Sequence, residues 1–477
     1  MIGIKSYGAY IPYNRLARSE IAKVWGGPAI PGERAVANHD EDSITMAVEA
    51  AFDCVRGLDT KGLGGLFFAS TTAPYREKQC ATLIAKVLDM DGTIRTADFG
   101  DCLRAGTTAI RAAYDTVKAG SASDVVVTCA DTRMGNPYSM LEQSLGDSAA
   151  AFLIGDGDVI AEIEDCLSTS YELTDVWRTD EDSFVREWED RWVVMHGYSK
   201  NVEEAVTELL KRNGIAAKDI TKAVIYGPEP RSHGALMRRL GFEGEQVQDT
   251  FFTTVGNSGT PASLLMLTAA LEGAKAGDRI LLASYGDGAD VMLLKVTDKI
   301  AKVNGHRGVA MNIASKAALP SYGKYLSFRQ LVPLPSQASL RGSGSATVMW
   351  RTNNWVLSCH ASKCRQCGML TYPPQRVCYG CHAKDDFDEV ALSQMKGKVF
   401  TFSVDNLAAA GINPPIVQTV VHFENGARFY CMMTDCDPQQ VKVDMPVEMT
   451  LRRLHEGANF HNYFWKCRPI REGGQNG

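Results

Sequence analysis

Cys102 follows an apolar run and opens a small-residue, helix-like stretch, Asp101-Cys102-Leu103-Arg104-Ala105-Gly106-Thr107. A thiol at a helix start meets free backbone amides and a partial positive charge, which favour the thiolate and can hold the oxyanion of an acyl-transfer intermediate. A second stretch, Gly256-Asn257-Ser258-Gly259, occupies the comparable place of a later segment, with an amide where the first has the thiol. Both segments close alike: Lys118-Ala119-Gly120 precedes Asp124 and its apolar strand, and Lys275-Ala276-Gly277 precedes Asp278 and its own. They read as an internal duplication, and the pairing of Cys with Asn points to acyl transfer through a cysteine thioester. Asp101 should raise the thiol pKa if its carboxylate turns inward.

A separate cluster, Cys364-x2-Cys367-x10-Cys378-x2-Cys381, has the spacing of two metal-binding knuckles. Four thiolates at tetrahedral corners suit structural zinc and leave no position for a reactive water. Iron–sulfur ligation uses the same residue type but is less usual at this spacing. The other cysteines show no pairing framework, as in a reduced compartment, and disulfides are not expected.

The elements that must position these groups alternate in the front of the chain. Strand-like runs at Gly64–Ala69, Ile94–Phe99 and Val125–Cys129 are interleaved with helical patterns over Ala81–Leu88 and after Cys102. Ser148–Gly155 and Val159–Glu164 look like two strands joined by the turn Gly155-Asp156-Gly157. The pattern restarts with a helix over Val202–Arg212, a strand at Ala223–Tyr226, a helix over Gly234–Leu240, the Asn257 helix and the Ile280 strand. Alternation of this kind predicts buried sheets faced by helices, here a duplicated five-layered α/β fold. Residues 299–350 weaken in pattern and accumulate Pro, Ser and Gly, as in Pro333-Leu334-Pro335-Ser336 and Arg341-Gly342-Ser343-Gly344-Ser345, and read as a linker. Short runs then follow at Val399–Val404, Ile416–Phe423, Ala427–Met433 and Val447–Leu451, with a turn at Glu424-Asn425-Gly426, and predict a small β-barrel. The expected division is 1–165 and 166–298 for the two α/β halves, 299–350 for the linker, 351–394 for a zinc ribbon and 395–477 for the barrel.

The chain has 477 residues, too many for one core, and a net charge of -6 that hides an asymmetry. Residues up to Asp298 carry -15, whereas the remainder carries +9. Such a tail suits a phosphorylated cofactor, nucleic acid or the acidic front half. No apolar run is long enough to cross a bilayer, and the first residues lack the pattern of a signal peptide, so a soluble cytoplasmic protein is expected.

Residues 1 to 298 resemble the thiolase superfamily, and more closely its hydroxymethylglutaryl-CoA synthase branch in archaeal and bacterial form. The resemblance is carried by Asp98-Phe99-Gly100-Asp101-Cys102-Leu103-Arg104-Ala105-Gly106-Thr107, Leu145-Gly146-Asp147-Ser148-Ala149-Ala150-Ala151, Val255-Gly256-Asn257-Ser258-Gly259 and Ile280-Leu281-Leu282-Ala283-Ser284-Tyr285-Gly286-Asp287-Gly288-Ala289. The tail resembles zinc ribbon plus OB-fold proteins of the DUF35 type, which in related systems often form a separate subunit bridging a thiolase to a synthase. The resemblance implies that Cys102 takes the acyl group from coenzyme A and that Asn257 orients the second thioester oxygen. It further implies acyl-CoA substrates, a homodimer and a partner thiolase, with neither nucleic acid nor membrane as partner.

Two positions depart from that pattern. Where the synthases carry a catalytic Glu in Ser-Glu-Ser-His-Pro-Tyr, this chain reads Ser70-Thr71-Thr72-Ala73-Pro74-Tyr75; where they carry His in His-Gln-Pro-Asn-Gly-Lys, it reads Tyr226-Gly227-Pro228-Glu229-Pro230-Arg231. Neither Thr nor Tyr accepts protons well near neutrality, so Glu229, His233 and Glu77 become candidates for that work, with Tyr226 polarising a carbonyl. Arg231 falls where the family has Lys and suits a coenzyme A phosphate. The leading expectation is an acyl-CoA condensing or cleaving acyltransferase with an acyl-Cys102 intermediate. One alternative is a CoA-thioester aldolase or retro-aldolase with a structural Cys102. Another is a non-catalytic acyl-CoA-binding scaffold for a partner thiolase.

Overall fold

The computed structural model describes residues 1–303, 305–332, 345–407, 414–424, 426–457 and 460–471. The expected linker sequences Pro333–Ser336 and Arg341–Gly344, and Asn425 of the expected turn, lie outside the described residues. The chain divides into two compact units, one of Met1–Ala37, Asp42–Ala85 and Met90–Tyr325, the other of Asn38–Glu41, Lys86–Asp89 and Leu326–Gly477.

The first unit is built on nine strands: β1 (Ile2–Tyr10), β2 (Gly65–Ala69), β3 (Arg95–Phe99), β4 (Asp124–Asp131), β5 (Ser148–Asp156), β6 (Ala161–Ser170), β7 (Lys222–Ile225), β8 (Arg279–Tyr285) and β9 (Gly288–Val296). They follow the order β7-β8-β9-β6-β1-β5-β4-β2-β3. The duplication is explicit in this order. In the first half β2 runs parallel to β4, which pairs antiparallel with β5 and then β1. In the second, β7 runs parallel to β8, which pairs antiparallel with β9 and then β6. Even edge strand β3 has a counterpart, a parallel bridge from Ala223 to Val247. The halves join where β1 meets β6 over only two residue pairs. β5 and β6 are the two strands expected on either side of Gly155-Asp156-Gly157; they do not pair with each other but flank β1, each filling one antiparallel edge of that N-terminal strand. β6 also runs through the expected boundary at 165/166.

Helices complete the layers. α1 (Ser43–Cys54) covers β1, β4 and β5 on one side, and α3 (Lys200–Asn213) covers β6, β8 and β9 on the other. Between them lie the duplicated helices α2 (Ala105–Lys118) and α5 (Ala262–Glu272), which pack on strands of the first half and of both halves respectively. α5 is apolar nearly all round, Ala-Ser-Leu-Leu-Met-Leu-Thr-Ala-Ala-Leu-Glu, as a helix buried on every side must be. Leu264, Leu267 and Leu271 join Ala109, Ile110 and Ala113 of α2 in one core. At about 25 cal/mol per Å² of apolar area buried, this central layer is a main source of the unit's stability. A helix α4 (Pro230–Leu240) follows β7.

Within the stretch expected as a linker, helices form at Gly308–Ala314 and Tyr322–Phe328, and the first unit continues to Tyr325. Asn312 donates to the carbonyls of Ala9 and Gly308, bonds that composition does not reveal.

In the second unit, β10 (His360–Cys364), β11 (Leu370–Thr371) and β12 (Phe387–Ala391) form a three-stranded ribbon. A closed barrel follows from β13 (Gly397–Asp405), β14 (Ile416–Phe423), β15 (Arg428–Met433), β16 (Pro446–Gly457) and β17 (Phe460–Pro469), in the order β13-β14-β15-β17-β16. The last strand was not predicted, since Phe460–Pro469 mixes aromatic, basic and apolar residues without clean alternation. A buried ion network belongs to this unit: Arg452 pairs with Glu41 and Asp435 at 2.6 Å each, and Lys466 pairs with Asp40 at 2.8 Å.

Candidate active site

Several of the predicted site residues gather where corresponding strands end. β3 stops at Phe99, Asp101 takes a left-handed φ of 71°, and the chain turns into α2, with the Cys102 carbonyl accepting from Ala105 N at 3.1 Å. Asp tolerates that conformation better than most side chains. Two small residues hold the loop close to its neighbours. A Cβ at Gly100 would lie 3.4 Å from the Ser70 carbonyl oxygen, and one at Gly106 would lie 3.2 Å from that of Thr260. Cys102 is therefore flanked by a segment from each half.

The thiol is half-buried, and burial pushes its pKa above the ordinary range; the Arg104 backbone N–H and guanidinium work against that, and Asp287 adds to it. The lowered pKa expected from the helix start is not the net result, because desolvation outweighs it. The opposing carboxylate is Asp287, in the turn between β8 and β9, rather than Asp101, which is exposed. Asp287 has a raised pKa from its own burial and from Asp175. Gly286 beside it approaches the Leu103 and Arg104 amide nitrogens so closely that a Cβ would lie 2.9 and 3.0 Å away. Arg104 is held by Asp290 at 3.1 Å and by the Thr169 carbonyl at 2.7 Å.

Asn257 and Tyr226 meet directly. The Asn257 Nδ2 donates to the Tyr226 hydroxyl at 2.8 Å, while its Oδ1 accepts from Gly259 N at 3.1 Å. Tyr226 is buried, which raises its pKa, while Arg133 and the Asn257 bond partly offset the rise. Its hydroxyl proton stays available for a carbonyl oxygen, since the bond to Asn257 uses it as an acceptor.

Thr71 lies two residues beyond β2, at the corresponding strand end of the first half. Its hydroxyl donates to Asp131 at 2.9 Å and its N–H donates to the other carboxylate oxygen at 2.7 Å. Asp131, the last residue of β4, also accepts from Ser70 Oγ at 3.0 Å, Thr72 Oγ1 at 3.2 Å and Thr260 N at 2.9 Å. One buried carboxylate thus ties the Thr71 turn of one half to the Asn257 loop of the other.

Of the remaining predicted residues, Glu229 caps α4, accepting from the Arg231 and Ser232 amides and the Ser232 hydroxyl. That capping task is a structural one the sequence did not assign. His233 is buried, which lowers its pKa; its ring bonds to the Ile225 backbone, and Nε2 has no partner among the described residues. Arg231 is exposed at the α4 start, as is Glu77 in its loop. Asp131, Arg133, Arg104 and Asp287 escaped sequence reading. A comparison of the last residues of mirrored strands β4 and β8 would have pointed to Asp131.

In the ribbon the sulfurs of Cys364, Cys367, Cys378 and Cys381 all lie within 4.8 Å of one another, with 3.5 Å from Cys364 to Cys381 and 3.4 Å from Cys367 to Cys378. A tetrahedron with metal–sulfur bonds of about 2.3 Å requires sulfur separations of about 3.8 Å, so the cluster can hold a metal.

A cysteine ahead of one central helix and an amide at the comparable place ahead of the other, on a duplicated, layered α/β frame, define a thiolase-like protein. The comparisons agree. Residues 210–295 match the 3-oxoacyl-[acyl-carrier-protein] synthase III C-terminal family, and residues 389–452 match the C-terminal OB-fold domain of ChsH2. A hydroxymethylglutaryl-CoA synthase from Methanopyrus kandleri is 33% identical over 341 residues, covering 69% of this chain and 97% of that protein. One from Methanocella arvoryzae is 34% identical over 335 residues, covering 68% and 96%. The chain belongs to the hydroxymethylglutaryl-CoA synthase family, acyltransferases of the thiolase superfamily. A crystal structure of HMG-CoA synthase complexed with CoA shares the fold at TM-score 0.63 and 18% identity, covering 72% of this chain and 93% of that one. The synthase III of Aquifex aeolicus does so at TM-score 0.56 and 21% identity, covering 62% and 100%. Among the described residues no helix is long and apolar enough to cross a membrane.

Proposed function

We propose that the chain makes or breaks a carbon–carbon bond beside a carbonyl on CoA thioesters, through an acyl-Cys102 intermediate. The observation that carries this is the placement of Cys102 between Gly100 and Gly106, with the Arg104 amide at its sulfur and segments of both halves beside it. In the first step the Cys102 thiol loses its proton, Sγ bonds to the acyl carbon, the carbon–sulfur bond to coenzyme A breaks, and coenzyme A leaves as a thiol with a proton. Burial keeps the resting thiol protonated, so deprotonation is coupled to substrate arrival. Asp287, with its raised pKa, is the carboxylate best matched to proton transfer. Tyr226 donates to the second substrate's carbonyl oxygen, and Asn257 fixes its hydroxyl. Thr71, locked to Asp131, serves position rather than proton transfer.

Incubation with ¹⁴C-labelled acyl-CoA followed by peptide mapping tests the intermediate: label on Cys102 is expected, and its absence with every thioester tried would remove the covalent step. The buried Tyr226–Asn257 pair favours a second reading, an aldolase or retro-aldolase with a structural Cys102. In that case Cys102→Ala keeps activity and Tyr226→Phe loses it. We also propose structural Zn²⁺ in the four-cysteine ribbon, where it would cross-link the two knuckles and supply folding energy without chemistry.

A further inference from the structure

Arg133 is only 5% exposed and makes no hydrogen bond or ion pair with any described residue. The other buried arginines of the first unit each donate to at least one backbone carbonyl. Arg15 donates to the Asn312 carbonyl at 3.2 Å and Arg18 to that of Pro31 at 2.8 Å, while Arg34 donates to the Glu142 carbonyl. A largely buried arginine whose guanidinium makes no hydrogen bond to protein is uncommon in a core, and such a group is kept where it can meet water or a ligand.

Its place is specific. The Arg133 Cδ and the Asp131 carboxylate each lie 2.7 Å from where a Cβ on Gly259 would stand, in the loop that carries Asn257. Arg133 also acts electrostatically on the Tyr226 hydroxyl. A second cation converges from the excursion between β6 and α3. There the Arg178 guanidinium donates to the Thr71 carbonyl; burial lowers its pKa, Asp131 works against that, and Arg133 is close enough to lower it further. That excursion is fastened to the Arg133 loop by a parallel bridge from Gly135 to Val185 and by the Val185 N–H on the Met134 carbonyl at 2.8 Å. The nearest carboxylate, Asp131, sets one negative charge against two cations and spends both oxygens on five neutral donors, so the pair keeps a net positive charge and its guanidinium N–H groups are not taken up by it.

We propose that Arg133 and Arg178 form an anion site at the reacting end, which takes the terminal carboxylate of a dicarboxylic acyl-CoA. The site lies among Thr71, Tyr226 and Asn257, where an acyl group would sit, rather than at Arg231 on the exposed helix start. This deepens the acyl-transfer reading and rests on it.

Full-length Cys102→Ala protein, which cannot acylate, is titrated with succinyl-CoA and with butyryl-CoA, a chain of equal length without the charge. Succinyl-CoA is expected to bind about tenfold tighter or more, as charge-assisted guanidinium–carboxylate bonds imply, and the ratio should fall to about twofold or less when Arg133→Met or Arg178→Met is added. Arg178 is exposed, so its variant reads the site even where Arg133→Met perturbs folding. Equal affinities before the arginine changes, or a ratio that neither arginine change lowers, overturn the proposal. So does an Arg133→Met that weakens free coenzyme A as much as succinyl-CoA, which would mean the pair holds a cofactor phosphate. Failure of the acyl-transfer reading shows separately, as absence of an adduct on Cys102 in the wild-type chain with either thioester.

Discussion

The side-chain amide of Asn257 donates to the hydroxyl of Tyr226 at 2.8 Å, at the position where the synthase pattern has His. The amide is coupled to a buried phenol that it uses as an acceptor, so the phenol O–H is left to donate elsewhere.

Tyr226→Phe removes that O–H and leaves the ring packed against Tyr198. Loss of one preorganised donor to a developing oxyanion predicts a fall in kcat of about 100-fold with little change in fold. Acylation of Cys102 should persist. Single-turnover kinetics separates the two steps, and a variant that loses both together would place Tyr226 elsewhere in the reaction.

The Cys102 thiol titrates above its ordinary range because burial outweighs the Arg104 amide and charge. Its thiolate fraction therefore keeps rising with pH, and the rate of iodoacetamide labelling at Cys102, followed by peptide mass spectrometry, should climb to about pH 9 without a plateau. A plateau near neutrality would contradict the geometry. Gly286→Asp should slow labelling further, since its side chain would crowd the Leu103 and Arg104 amides.

Asp131→Asn converts one acceptor oxygen into a donor among five donors that point at it. At least one buried donor loses its partner, with an expected cost of about 1–3 kcal/mol in urea unfolding. Because this residue joins the Thr71 turn to the Asn257 loop, kcat should drop as well, whereas Asp115→Asn on the exposed face of α2 should change neither.

Cys378→Ser breaks the four-sulfur set. Metal content by mass spectrometry should fall from about one zinc per chain to near none, with loss of ribbon stability toward proteolysis. An unchanged metal content would dismiss the site.

Asp40 is fully buried, which alone would raise its pKa, yet Lys466, His39 and Arg452 hold it well below the usual carboxylate range. A depressed folded value gives stability that is present above the unfolded value of about 3.9 and is lost as pH falls through the folded one. The second unit should therefore weaken below about pH 4. Arg452→Met should cost about 3–5 kcal/mol at neutral pH by stranding Asp40, Glu41 and Asp435, measured by denaturant titration followed at Trp465.

What the sequence by itself determined rests on periodicity and local spacing. Repeated strand–helix alternation specified the duplicated α/β class, Cys102 and Asn257 marked corresponding places ahead of the two central helices, and two short Cys-x2-Cys pairs located the ribbon. Barrel strands with clean alternation were legible, and Phe460–Pro469, without it, was not. Tertiary structure alone decided the rest. It placed β1 between β5 and β6, turned Glu229 into a helix cap, made Asp287 rather than Asp101 the carboxylate that opposes the thiol, and brought Arg133 and Arg178 beside Asp131. Helix and strand periods are written within a dozen residues. Which charges face one another is set by packing of segments distant in the chain, and a thiol's pKa follows from how deeply that packing buries it.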